Sequence, residues 1–199
     1  TARGAGMVEQ DPRDWTRLID HAIAQFVGQG LAPDIAAIGL TSQVNTHVFV
    51  GADGAPLMPA IVWQDTRAGA EAAELDARVS PAQKLAWWGA PMPIDASHAL
   101  SRMAWVQAHR PDVWDATAHV LLPKDYLRYW LTGEYFGDMS DAAGTSWFDV
   151  GARDWSEALL EKSGMRRDQM PDLVEGSAPA GMLRAALASE WGIEGPVVC

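Results

Sequence analysis

Three short stretches concentrate the side chains that could do chemistry. The first is Thr41-Ser42-Gln43-Val44-Asn45-Thr46-His47, in which five of seven side chains carry uncharged hydrogen-bonding groups and His47 adds a titratable one. Groups that both donate and accept suit the hydroxyls of a polyol. A polar turn leading into a hairpin would have the same composition. The second is the apolar run Ala60-Ile61-Val62-Trp63, which stops at Gln64, Asp65 and Arg67. Trp63 offers a flat apolar face for the carbon side of a sugar, while Asp65 and Arg67 can fix hydroxyls or each other. The other reading of these residues is an Asp65 helix cap beside an Arg67 surface pair. The third is Ser97-His98, which opens a helix after the Pro-rich approach Ala90-Pro91-Met92-Pro93. A helix start has unsatisfied N–H donors, though a capped surface helix looks the same in sequence. His21, His109 and His119 fall on helix faces or strand edges and read as structural. No His/Cys/Asp/Glu spacing suggests a metal cage, and no nucleophile elbow is present. Neither G-x-x-x-x-G-K-[ST] nor G-x-G-x-x-G occurs, so any nucleotide phosphates would be held by residues outside this sequence.

These stretches must be positioned by a scaffold, and the pattern of apolar residues predicts one. Residues 11 to 29 read as a helix capped by Asp11, with Pro12 in the first turn and Trp15, Leu18, Ile19, Ala22, Ile23, Phe26 and Val27 on one face. Residues 34 to 40 read as a buried strand, which places Thr41 to His47 at its carboxyl end, where open α/β sheets bind ligands. Extended runs are expected at His47–Val50 and Pro59–Trp63, joined through Ala52-Asp53-Gly54. Helices follow from Thr66 to Val79, from Ser80-Pro81 through the Trp87-Trp88 pair, and from a Ser97 cap to His109 before Pro111. A strand at 119–122 leads to a helix from Asp125 to Thr132, ended by Gly133. The spacing then predicts a polar loop over 138–145, an extended piece at 146–150, a helix from an Asp154 cap to Ser163, a helix from Leu183 to Trp191, and a last strand in Gly195-Pro196-Val197-Val198. Strands alternating with helices indicate an α/β domain.

Composition excludes several classes. With 199 residues, 48% of them hydrophobic, the chain can bury a substantial core. A formal charge of -11 argues against nucleic acid, because neutralising phosphates needs clustered Lys and Arg. The single cysteine, Cys199, excludes an internal disulfide framework and suits a reducing cytosol. No stretch approaches the roughly 18 apolar residues of a membrane helix. The chain begins without Met, so a preceding segment is expected. Ten tryptophans mark indole-rich packing or a ligand surface.

Longer motifs are more specific. Leu122-Pro123-Lys124-Asp125-Tyr126-Leu127-Arg128, Leu131-Thr132-Gly133-Glu134, Asp138-Met139-Ser140-Asp141-Ala142-Ala143-Gly144-Thr145 and Asp154-Trp155-Ser156 closely resemble the FGGY carbohydrate kinases, above all the xylulokinase branch. Glu9-Gln10-Asp11-Pro12 with Trp15, Pro59 to Asp65 with Arg67, and Arg167-Asp168-Gln169-Met170-Pro171 fit in the same order. The resemblance covers essentially the whole chain. It implies an actin-like, ribonuclease-H-type α/β fold and the N-terminal, sugar-holding domain of a kinase that uses ATP and Mg2+. On that reading residues 1–199 form one domain. The strands with the phosphate loop are expected before Thr1, and the general-base aspartate beyond Cys199. The resemblance also implies that Trp63 packs on the substrate, that Val44 and Asn45 meet it, and that Ser97 and His98 belong to a second substrate-facing stretch, while Asp65 is a substrate-binding candidate from its own chemistry. Xylulokinases usually carry Gln-Met-His-Gly where this chain has Gln43-Val44-Asn45-Thr46. Asn45 can still donate and accept through its amide. The implied reaction is phosphorylation of a ketopentose such as xylulose. Ribulose, a tetritol, or a non-catalytic sugar-binding or regulatory module are the alternatives. A cytoplasmic protein with no nucleic-acid or membrane partner, in a family whose kinases are often homodimers, completes the expectation.

Overall fold

The computed structural model describes residues 2–4 and 6–199. In chain order its elements are strands β1 (Ala2–Gly4) and β2 (Met7–Gln10), helix α1 (Pro12–Gly28), strands β3 (Val48–Val50) and β4 (Ala60–Ile61), and helices α2 (Gly69–Arg78), α3 (Pro81–Trp88), α4 (Ala99–His109) and α5 (Pro111–Ala116). Strand β5 (His119–Leu121), helix α6 (Pro123–Thr132), strand β6 (Phe136–Asp138) and helix α7 (Met139–Gly144) follow. The chain continues through the hairpin β7 (Phe148–Asp149) and β8 (Asp154–Trp155), helix α8 (Glu157–Lys162), strand β9 (Asp172–Val174) and helix α9 (Ala185–Trp191). The class is mixed α/β, as expected.

Strands β1, β2 and β4 pair antiparallel in that order, and β3 pairs antiparallel with β5. A bridge between His47 and Ile61 stitches the two small sheets together. Strand β6 pairs parallel with β9. The main core lies between β3 and β4 on one side and α4, α7 and α8 on the other, built from Phe49, Ile61, Met103, Val106, Trp147 and Leu159. Burying each such side chain is worth about 1.5–3 kcal/mol. A second cluster joins α1, α6 and α9 through Ile23, Leu131, Leu187 and Trp191.

Helix α1 starts where its cap predicts, with the Asp11 carboxylate accepting from the Arg13 N–H at 2.9 Å. Its apolar stripe is only partly used, since Ile23 is buried while Leu18 and Phe26 stay exposed. Ser80 caps α3 in a reciprocal box with Gln83, and Gly133 ends α6 in the left-handed region at φ 90°. Several expectations need correction. Residues 34–40 form no buried strand: Ala32–Asp34 is a short 3-10 turn, and the segment beyond is extended but half-exposed. Its ladder is a single bridge from Ala37 to Val198, with the Ile38 N–H donating to Val198 O at 2.8 Å. A strand needs neighbours on its edges, and apolar residues alone do not supply them. For the same reason 195–198 contributes isolated bridges only. The presumed polar loop 138–145 is the end of β6 followed by α7, because the Asp138 carboxylate accepts from the N–H groups of Ser140 and Asp141 and starts a helix. Asp154 lies in β8 rather than capping α8, which begins after Ser156. Pro111 opens α5 instead of merely closing α4.

Candidate functional site

Strand β4 runs directly into a tight turn, in which the Asp65 N–H donates to Val62 O at 2.8 Å. Trp63 and Gln64 therefore occupy the turn's outer corner, and the chain doubles back at Asp65. The geometry splits the polar cluster in two. Trp63 stays half-exposed, at 50%, whereas Asp65 is 1% exposed and turned inward. The Asp65 carboxylate accepts from Arg67 Nε at 2.9 Å, from Arg67 Nη2 at 2.7 Å and from the Val8 N–H at 2.5 Å. Arg67 also pairs with Glu9 at 2.9 Å and lies 4.9 Å over the Trp105 ring. Burial pushes the Asp65 carboxyl up, but the bonds from Arg67 and Val8 outweigh it and hold it below the usual carboxylate range. This pair ties β2 to the end of β4. It is neither a helix cap nor a surface pair, and α2 starts after Ala68 with no side-chain cap.

The loop 41–46 comes up beside this turn. Thr46, fully buried, accepts from the Trp63 N–H at 3.1 Å and locks the two segments together. Its neighbour Asn45 adopts φ 51°, a left-handed conformation that asparagine tolerates better than most residues. Ser42 accepts from the Lys124 N–H at 3.1 Å, and Gln43 donates to Gln10 at 2.9 Å. The third segment is the turn before α4, where the Ser97 N–H and hydroxyl both donate to Asp95, at 2.7 and 2.6 Å. Ser97 therefore precedes the helix, and His98 occupies the cap position without a side-chain capping bond.

These three segments enclose a cleft of ≈ 380 Å³ lined by Ser42, Gln43, Val44, Asn45, Trp63 and Ser97. No charged side chain is in the lining. Val44 and Trp63 supply exposed apolar surface. The Asn45 amide oxygen is shielded from water and has no hydrogen-bond partner. Unpaired buried acceptors are rare and cost about 1–3 kcal/mol. Of the residues expected from sequence, Val44, Asn45, Trp63 and Ser97 converge on the cleft, while Asp65 and His98 are not in its lining. The His98 ring packs edge-on against Trp88 at 5.7 Å, and burial lowers its pKa against the opposing pull of Asp95 and Asp76.

His47 turns away from the cleft. It is 1% exposed, packs on Trp147 and lines a separate internal cavity of ≈ 10 Å³. Burial, then the nearby Arg102 cation, lower its pKa well below the usual value, so it is neutral at physiological pH and no acid–base group for the cleft. Arg102 itself is the residue the sequence pattern missed. It sits on the apolar face of α4 with Ala99, Met103 and Val106, and a cation in a buried stripe is the signal that could have found it.

Comparisons with known proteins bear on the fold that carries these segments. Residues 2–199 match the model of the FGGY family of carbohydrate kinases, N-terminal domain. The xylulose kinase of Escherichia coli strain K12 is 40% identical over 185 residues, covering 93% of this chain and 37% of that protein. Among solved structures, a xyloylose kinase from Brucella ovis superposes with a TM-score of 0.88 at 43% identity, over 100% of this chain and 40% of its own. The xylulose kinase of Rhodospirillum rubrum gives 0.89 at 25% identity, over 100% of this chain and 42% of its own. The chain thus spans well under half the length of the relatives it matches.

Proposed function

The chain belongs to the FGGY family of carbohydrate kinases, with the actin-like, ribonuclease-H-type fold of that family's N-terminal domain, and from this premise we propose that it supplies the sugar-holding half of a kinase that phosphorylates a ketopentose such as xylulose. The observation that carries the reading is the uncharged cleft, in which four hydrogen-bonding side chains stand beside the half-exposed face of Trp63. The hydrogen-bonding side chains of Ser42, Gln43 and Asn45 would meet the hydroxyls of a sugar, and the Trp63 indole would cover its carbon face. Val44 and Ser97 would complete the walls. Asp65 acts from behind, by fixing the turn that presents Trp63, and His98 packs against Trp88 behind the wall that Ser97 forms. The names of the similar proteins support xylulose over other acceptors.

Phosphoryl transfer depends on holding acceptor and donor in line and on neutralising charge. The cleft residues would do the first for the acceptor hydroxyl. The sequence carries neither a G-x-x-x-x-G-K-[ST] nor a G-x-G-x-x-G loop to cradle nucleotide phosphates. We therefore assign ATP, Mg2+ and the general-base aspartate to the remainder of a longer protein, and residues 1–199 to a single domain of it. No helix among the described residues is long and apolar enough to cross a membrane. The single cysteine supports a cytoplasmic setting, and the exposed Leu18 and Phe26 on α1 are compatible with a homodimer. The test is ADP release by the full-length protein over a panel of ketopentoses, tetritols and glycerol. Turnover with xylulose supports the proposal; sugar binding without turnover would make the protein a binding module instead.

A further inference from the structure

One buried guanidinium touches all three walls of the cleft. Arg102 is fully inaccessible to solvent. Its Nη1 donates to Asn45 O, to Ile61 O at 3.2 Å and towards His47 Nδ1 at 3.3 Å. Its Nη2 donates to Val62 O at 2.7 Å, and its Nε to Ala96 O at 3.3 Å. Every one of these acceptors is neutral. The three backbone segments they belong to are those that present Asn45, Trp63 and Ser97.

We propose that Arg102 is a positioning residue for the sugar, setting the mutual distance of the three cleft walls through its planar fork of donors. The claim rests on the cleft being the sugar site. A side chain kept only for stability would be easier to supply with an apolar residue, because burying a cation among neutral groups is unfavourable unless its hydrogen bonds are nearly all made. The fork matches this need. Donors fixed in one plane reach Ala96 on one edge and Val62 on the other, which a single ammonium on a flexible stem cannot do at once. Asn45 has a further reason to depend on it. Its left-handed backbone is an unfavourable conformation that persists only where its surroundings over-determine it, and the bond from Arg102 to its carbonyl, with Thr46 locked to Trp63 beside it, is that constraint. Moving the guanidinium would shift all three walls together rather than one.

The test uses the full-length protein with Arg102→Lys, which keeps the charge, and Arg102→Met, which keeps much of the volume. If Arg102 positions the sugar, both variants raise the KM for the sugar by about tenfold or more while leaving the KM for ATP within about twofold. A purely stabilising role would lower the fraction of active molecules, and with it the apparent kcat, but the molecules still folded would keep their sugar KM. An unchanged sugar KM therefore overturns the proposal, whatever the melting temperature does. Hydrogen exchange supplies a readout that needs no substrate. The segments 43–47, 61–65 and 94–98 should exchange faster together in Arg102→Lys, with α6 unaffected. If only one segment loosens, or none, the coupling is refuted. A wild-type protein that phosphorylates no sugar would sink the functional reading alone, and the exchange data would still decide on Arg102. Failure of both variants to fold would assign the arginine to the fold and overturn its positioning role.

Discussion

Replacing Trp63 by alanine puts the largest number on the cleft. The side chain is 50% exposed, and an indole presents roughly 200 Å², so about 100 Å² of it remains in water for a ligand to cover. If a sugar ring covers about two thirds of that, roughly 25 cal/mol per Å² gives about 1.7 kcal/mol, or some fifteenfold in affinity. The turn itself should survive, because its bonds run through the backbone: the Trp63 N–H to Thr46 and the Asp65 N–H to Val62 O. The expected result with the full-length enzyme is a sugar KM raised about fifteenfold, with the KM for ATP unchanged and a melting temperature lowered by only a few degrees. Trp63→Phe should fall between, since a smaller ring covers less area. A coupled assay for ADP over separate sugar and ATP titrations measures the two KM values, and a thermal scan the melting temperature. A Trp63→Ala enzyme whose sugar KM stays within a factor of two of wild type would show that the indole faces solvent in the complex, and the cleft would no longer be the acceptor site.

Asn45 separates backbone from side chain: Asn45→Gly keeps the left-handed conformation and Asn45→Ala strains it, so the alanine variant should be less stable by about 1 kcal/mol in urea unfolding while both raise the sugar KM alike. Equal stability would mean that the loop relaxes. Asp65→Ala leaves the buried Arg67 with Glu9 as its remaining carboxylate and should cost about 3–5 kcal/mol in denaturant unfolding, far more than a surface pair. Because the Asp65 carboxyl is held below its unfolded value, the pair's contribution is complete above the ordinary carboxylate range and disappears as pH falls through the lowered value; Asp65→Asn should flatten that part of the wild-type stability curve, and an unaltered curve would place the acid transition elsewhere. Gly54 sits at φ 79°, and a Cβ there would lie 1.9 Å from the Tyr129 hydroxyl, so Gly54→Ala should lower the melting temperature without changing the sugar KM; a thermal scan and one titration check both halves.

What could be read from the sequence follows the range over which each signal acts. Helix starts were legible at Asp11 and Ser80 because caps and first-turn prolines act within a few residues, whereas α6 opens at Pro123, ahead of the Asp125 start read from the pattern. The motif order carried the family, and with it Val44, Asn45, Trp63 and Ser97 as candidates for one site. The strand read into residues 34–40 failed because pairing partners are distant in sequence, and hydrophobicity says nothing about whether they are present. Asp65 and Trp63 could not be told apart either. They stand two residues apart in a run that looks extended, where both side chains would share a face. Only the Val62–Asp65 turn, a bond between backbone groups, sends one outward and the other into the core.

Charge explains why Arg102 was harder to see than any of these. Sequence patterns treat arginine as a surface residue, and on helix α4 it follows Ser101 without any local acid to announce a pair. In the structure its partners are backbone carbonyls, which every residue type provides and no motif can record. Burial lowers its pKa to about 10, with Asp65 and Asp95 partly offsetting this, so it stays protonated across the physiological range. Its neighbour His47 is correspondingly held neutral. The cleft is therefore backed by one permanent cation and lined by none, an arrangement whose hydrogen-bonding geometry does not change between about pH 6 and 8. A pH dependence of sugar KM in that interval would have to come from groups other than Arg102 and His47, and Arg102→Lys should leave its shape unaltered while raising its level.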